Sequence, residues 1–146
     1  MIRSLLEYNR FANNAFTYSL KSNEVQDEQA LVLMSHIINA QHIWNARILG
    51  EKPNVSVWQK HSFHELKVLN EEGFTKSIEI MGKLNPTTAI NYKNTKGHDF
   101  VKTVQDVLLH ITNHSTYHRG QVAMRLKELG LQPPASDYIF YSKEKE

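Results

Sequence analysis

The sequence contains four stretches in which apolar residues recur every three or four positions, the spacing of an amphipathic α-helix. The first covers about residues 1–20 and ends near Asn23. The second runs from about residue 28 to residue 49, and Gly50 stands where a helix terminator is expected. These two stretches predict the first and second helices.

Two further stretches carry the same pattern after a predicted loop at residues 51–61. Ser62 followed by Glu65 has the spacing of a capping box, so a third helix is predicted from there to about residue 84. The fourth helix is predicted from about residue 104 to residue 129, where a glycine and then two prolines follow. Four such helices bury their apolar faces most economically in an all-α four-helix bundle.

Two segments lie outside the predicted helices. Residues 87–100 lose the helical period and predict a short extended segment with a turn. Residues 137–141 form an apolar tail that we expect to lie back on the bundle. A chain of 146 residues is of single-domain size, so one domain is predicted over residues 1–146.

Composition excludes several classes of protein. The 17 basic and 15 acidic residues leave a net charge of +2 and are scattered, which is a poor footprint for nucleic acid. The chain has no cysteine, so disulfides, thiolate metal sites and a cysteine nucleophile are excluded, and a metal ion would need nitrogen or oxygen ligands. No apolar run approaches the ~18 residues of a membrane span, and charged residues interrupt the start, so we expect a cytoplasmic protein.

Histidine is the residue in excess, with eight copies. His114 and His118 stand four positions apart on the fourth helix, so both imidazoles share one face and can chelate one metal ion. His36 faces inward on the second helix, which would supply a third neutral nitrogen. The alternative is that these are core histidines bonded to backbone or polar neighbours.

His110 extends the series by four residues but lies ~12 Å from His118 along the helix axis, too far to share one ion. We expect it to be structural or to support a ligand without binding the ion. A zincin motif is excluded because the glutamate that would follow His114 is missing. The other histidines are expected on the surface or in loops: His42, His61, His64 and His98.

Four further polar residues are candidates for a substrate pocket. Asn9 and Asn13 occupy the apolar face of the first helix, where they either line a pocket or form core hydrogen bonds. Tyr117 and Arg119 flank His118 and either contact a substrate or are exposed or packed against other helices. Gly120 in mid-helix predicts the close approach of another backbone.

The segment from Leu109 to Gln121 resembles the fourth-helix signature of the DinB/YfiT-like family of metal-dependent four-helix-bundle proteins. Weaker matches follow in the same order, at residues 8–12, 36–50 and 130–141. The resemblance implies an up-down-down-up bundle with a long crossover between helices 2 and 3, homodimers, and a divalent metal, nickel or zinc, on three histidines. Motif by motif, those ligands fall on His36, His114 and His118.

Characterised members of the family that this chain resembles include transferases and isomerases that use a low-molecular-weight thiol such as bacillithiol or mycothiol. The resemblance therefore implies an enzyme that transfers such a thiol to a small electrophile, with the metal lowering the pKa of the thiol. Two alternatives remain open: a metal-dependent hydrolase acting through bound water, and a non-catalytic metal-binding or stress-related protein.

Overall fold

The computed structural model describes residues 1–141. Four long helices and one small antiparallel sheet make up the fold, so the predicted all-α class is correct for the bulk of the chain and omits a hairpin. The elements in chain order are α1 (Ile2–Ser22), α2 (Glu28–Leu49), α3 (Phe63–Lys83), β1 (Ala89–Lys93), β2 (Asp99–Thr103), α4 (Val104–Glu128) and a 3-10 turn (Tyr138–Phe140).

The helix boundaries follow the local signals in the sequence. Gly50 ends α2 in the left-handed region at φ 67°, which a residue without Cβ adopts at little cost. The predicted capping box at Ser62 and Glu65 begins α3. A second capping box, between Thr103 and Asp106, begins α4 directly after β2.

The strands lie where the helical period is lost. β1 pairs with β2 in antiparallel register, with Ala89 opposite Thr103 and Lys93 opposite Asp99. The extended segment predicted for residues 87–100 is therefore confirmed, although the second strand continues to residue 103. The second strand of the hairpin ends at Thr103, and α4 begins at the next residue.

Each of α1 and α2 packs against both α3 and α4, and the apolar core divides into two clusters. One cluster contains Val122 and Leu126 of α4, and the other contains Val107 and Ile111. The stretch of α4 between residues 111 and 122 therefore lies between the clusters, where polar side chains replace apolar ones. That layer holds the residues of chemical interest.

The segment after α4 returns to the bundle, as predicted. The rings of Tyr138 and Tyr141 lie 5.3 and 5.9 Å from the ring of Tyr8 on α1. The Tyr8 hydroxyl also donates a hydrogen bond to the backbone carbonyl of Ser136. No helix in the part of the chain described is both long and apolar enough to cross a bilayer.

Candidate metal centre

His36 on α2 and His114 and His118 on α4 converge on one point in the polar layer. One ring nitrogen from each lies within 4.8 Å of the others. The Nε2 atoms of His36 and His114 are 3.2 Å apart. Two imidazoles on one tetrahedral zinc, with Zn–N of about 2.0–2.1 Å, place their nitrogens ~3.3 Å apart, so this spacing fits a shared ion. The three residues lie at the same height in the bundle, which the sequence left open.

Hydrogen bonds on the far side of two of these rings fix which nitrogen is free to bind a metal. Nδ1 of His36 lies 3.0 Å from the backbone carbonyl of Val57, and Nδ1 of His118 lies 2.7 Å from Oε1 of Gln121. Because each partner oxygen accepts, both Nδ1 atoms carry the proton and both Nε2 atoms present lone pairs. This donor set fits a divalent ion that takes imidazole nitrogen.

His114 has a different environment. Its Nδ1 is buried and has no hydrogen-bond partner among the described residues. Burial, with smaller contributions from the charges of His118, His36 and His110, lowers the pKa of His114 from 6.5 to about 4. Burial also lowers the pKa of His36, against the effect of the Val57 hydrogen bond. Both imidazoles are therefore neutral near pH 7, the form that binds metal.

The loop between α2 and α3, residues 50–62, covers one side of the three-histidine site. The Trp58 ring stacks on the His36 ring at a centroid distance of 4.0 Å and an angle of 14°. Trp58 is nevertheless 57% exposed, so it forms an outer wall of the site. This loop carries no recognisable motif. Its single tryptophan was the signal that could have identified it.

Arg119 is only 2% exposed, so of its alternatives the structure supports packing against other helices. Its Nη1 donates to the Oδ1 atoms of Asn9 and Asn13, each at 2.7 Å. Asn13 also donates to the side chain of Asn70 on α3 at 3.1 Å. Of the two interpretations of the asparagines, the structure places them in core hydrogen bonds, and Arg119 packs between helices.

Tyr117 and His110 neighbour the two histidines that α4 contributes to the site. Tyr117 is 65% exposed and its ring is 5.1 Å from that of His118, so its contact with a substrate remains a prediction. The His110 ring lies 5.5 Å from that of His114 and 5.1 Å from that of Trp44. Partial burial lowers the pKa of His110. Its supporting role also remains a prediction.

Two of the remaining histidines are less exposed than a surface position implies. His61 lies in the predicted loop, just before α3, but it is buried and its Nε2 lies 2.6 Å from Oδ1 of Asn39. His42 is half-buried and bonds through Nε2 to the backbone carbonyl of Leu69 at 2.7 Å. Each bond joins α2 to a segment more than 20 residues away, which a single helix's pattern cannot reveal. The prediction is confirmed for the exposed His64 and His98.

Gly120 also differs from its prediction. No atom lies within 4 Å of the position that a Cβ would occupy there, so no backbone approaches it. Instead it borders an open groove of about 560 Å³ between α2 and α4, together with Leu33, Tyr117 and Met124. The helical glycine that does meet a close neighbour is Gly73 on α3.

Comparison with known proteins adds two findings to this geometry. A family model described as the DinB family matches residues 5–146. A segment of 39 residues is 41% identical to Protein DinB of Bacillus subtilis (strain 168). That segment represents 27% of this chain and 23% of the relative, so the pairwise match covers less than a quarter of that protein.

Proposed function

The chain belongs to the DinB family, and we propose that His36, His114 and His118 bind one divalent metal ion, nickel or zinc, in an enzyme of thiol transfer. The reaction proposed is the transfer or conjugation of a low-molecular-weight thiol to a small electrophile. The observation that carries the metal site is the convergence of three imidazoles, whose ring nitrogens lie within 4.8 Å of one another. Family membership supports the reaction class, by resemblance to thiol-using relatives.

The roles of the chain's own residues follow from the hydrogen bonds. His36 and His118 would hold the ion through Nε2, because their Nδ1–H groups donate hydrogen bonds to Val57 and Gln121. His114 would be the third ligand. Three protein ligands leave coordination positions for other molecules, which is typical of catalytic sites.

A bound divalent cation supplies Lewis acidity, which lowers the pKa of a thiol so that the thiolate is available near neutral pH. In the proposed reaction the thiol loses its proton to water. Its sulfur then forms a bond to the electrophilic carbon, and the leaving group departs with the bonding electron pair. Because the chain contains no cysteine, the nucleophilic sulfur must come from the cosubstrate.

The test is a conjugation assay with bacillithiol and 1-chloro-2,4-dinitrobenzene, using nickel-loaded and zinc-loaded protein. We expect thiol consumption above the uncatalysed rate in wild type, and none above it in His118→Ala. Equal rates with and without wild-type protein across a panel of thiols and electrophiles would contradict thiol transfer. Hydrolysis of an ester such as 4-nitrophenyl acetate, dependent on His118, would favour the hydrolase instead.

We also infer the up-down-down-up order of the helices. Asp27 at the start of α2 bonds to Arg125 near the end of α4, whereas Trp44 near the end of α2 contacts His110 near the start of α4. These contacts support an antiparallel α2 and α4. Spin labels attached at positions 27 and 125 should therefore be close, and a distance near the full helix length would contradict the inference.

The other two directions are supported in the same way. Asn9 and Asn13 of α1 bond to Arg119, and further along, α1 and α4 share an apolar cluster, which supports parallel helices. His42 of α2 bonds to Leu69 of α3, and Asn45, three residues later on α2, donates to the backbone carbonyl of Gly73, four residues later on α3. Ser35, earlier in α2, accepts a hydrogen bond from the backbone N–H of His61, just before α3. Together these contacts support a parallel α2 and α3.

A homodimer and a cytoplasmic location complete the proposal. Both rest on the family resemblance and the composition. Sedimentation equilibrium should give twice the chain mass, and a monomer at micromolar concentration would contradict the dimer. Fractionation of the source cells should place the protein with cytoplasmic markers.

A further inference from the structure

The metal centre is connected to a buried network that begins at the backbone carbonyl of Val57. This oxygen accepts a hydrogen bond from Nδ1 of His36 at 3.0 Å and a second from Nδ2 of Asn39 at 3.3 Å. Asn39 donates at 2.8 Å to a second carbonyl of the same loop, that of Gln59. One fully buried amide on α2 therefore holds two carbonyls of the loop between α2 and α3.

The orientation of the Asn39 amide is determined by these contacts. Its Nδ2 faces two acceptors, so its Oδ1 must be the atom that faces Nε2 of His61 at 2.6 Å. His61 must then carry a proton on Nε2 and donate it to Asn39. The side chain of His61 is 1% exposed, and its backbone N–H donates to Oγ of Ser35 at 3.1 Å.

We propose that Asn39 and His61 are positioning residues for the metal centre. His61 orients the Asn39 amide, the amide holds the Val57 carbonyl, and the carbonyl keeps His36 in the Nδ1–H form with Nε2 turned toward His114. Hydrogen-bonded partners of this kind set the tautomer and ring direction of a metal-ligating histidine. The effect on metal affinity rests on the proposed function. The effect on the His36 tautomer rests on the hydrogen bonds alone.

Replacing His61 tests the first link of the network. His61→Phe keeps a ring in the cavity but removes the donor to Asn39, whereas His61→Gln keeps an N–H donor near the position of Nε2. We expect His61→Phe to weaken zinc binding about 10- to 100-fold, the effect usual for such partners, and His61→Gln to stay within about threefold of wild type. The measurement is competition for zinc with a chromophoric chelator.

His42→Phe is the matched control. His42 also lies on the α2–α3 contact and donates through Nε2 to a backbone carbonyl, that of Leu69, but it takes no part in the hydrogen bonds that join His61, Asn39 and Val57. It should lose stability without a comparable loss of zinc affinity. If His61→Phe and His42→Phe weaken zinc binding equally, the effect is general destabilisation and the proposal is overturned.

A second readout uses the metal-free protein, which separates this proposal from the proposed function. Long-range ¹H–¹⁵N correlation spectra report which nitrogen of His36 is protonated. Wild type and His61→Gln should show the Nδ1–H form, and His61→Phe should show a mixture with the Nε2–H form that water favours. Retention of pure Nδ1–H in His61→Phe would overturn the positioning role, even if the protein binds no metal.

Asn39→Ser provides the same test should His61→Phe fail to fold. The shorter side chain cannot reach both loop carbonyls, so the His36 tautomer should again become mixed. A wild-type protein with no zinc affinity but with a tautomer sensitive to these changes would refute the proposed metal site and support the network. Unchanged tautomer in Asn39→Ser would refute the network.

Discussion

The burial of His114 predicts that the metal-free protein loses stability in mild acid. In the fold its pKa is about 4, against 6.5 for the ordinary group. The folded state therefore binds this proton less readily than the unfolded state, and acid favours unfolding. The free energy of unfolding is unaffected by this group above about pH 6.5 and decreases as the pH falls toward about 4.

The size of the effect follows from the same values. A pKa difference of one unit corresponds to about 1.36 kcal/mol, so complete protonation would cost about 3 kcal/mol. The ring is half-buried and partly screened by solvent, which reduces the expected loss between pH 7 and pH 5 to on the order of 1–2 kcal/mol. This is a measurable fraction of the stability of a domain of this size.

The assay is urea unfolding of chelator-treated protein at several pH values, for wild type and His114→Gln. Wild type should lose on the order of 1–2 kcal/mol more than the variant between pH 7 and pH 5. His98→Gln, on the exposed turn of the hairpin, is the matched control and should follow wild type. Identical pH dependence in wild type and His114→Gln would refute the argument that burial holds this imidazole neutral.

Three further substitutions test the polar layer and the helical glycines. Arg119→Leu leaves two buried asparagine oxygens without their donor and should lower the free energy of unfolding by about 3 kcal/mol; a loss under about 1 kcal/mol in urea unfolding would contradict the buried cluster. Gly120→Ala should raise it by up to ~1 kcal/mol, since nothing lies near the new methyl group. Gly73→Ala should be less favourable, because its Cβ would lie 3.3 Å from Gln41; equal gains in both variants would contradict this packing.

Much of the helical framework could be predicted because its signals are local. The period of apolar residues and the caps at Gly50 and Ser62 depend only on residues within one or two turns. The facing of His36, His114 and His118 likewise follows from the helical period. Their common height in the bundle does not, since it depends on how α2 and α4 slide past each other.

The features that the sequence pattern missed or left open depend on contacts between distant segments. His61 can be buried because the side-chain oxygen of Asn39, 22 residues earlier, accepts a hydrogen bond from its ring. Arg119 is buried because Asn9 and Asn13, more than 100 residues away, provide oxygens for its guanidinium. Arginine is rarely buried without such partners. The two asparagines on the apolar face of α1 were the only local sign of this cluster.

The loop between α2 and α3 shows the same limit. It has no periodic pattern, and its path is determined by the Asn39 amide and by the stacking of Trp58 on His36. Trp58 can be singled out from the loop's own sequence, but its partner His36 and the Asn39 contacts cannot. The side of the three-histidine site that this loop covers therefore became evident only from the fold.

If three imidazoles hold one divalent ion, the metal content of the purified protein will show it. Tag-free wild type, His118→Ala and the control His42→Ala would each be incubated with zinc or nickel, freed of excess ion and analysed by plasma mass spectrometry. We expect close to one ion per chain in wild type and His42→Ala, and a severe loss of bound metal in His118→Ala. Wild type without metal, or equal occupancy in all three proteins, would contradict it.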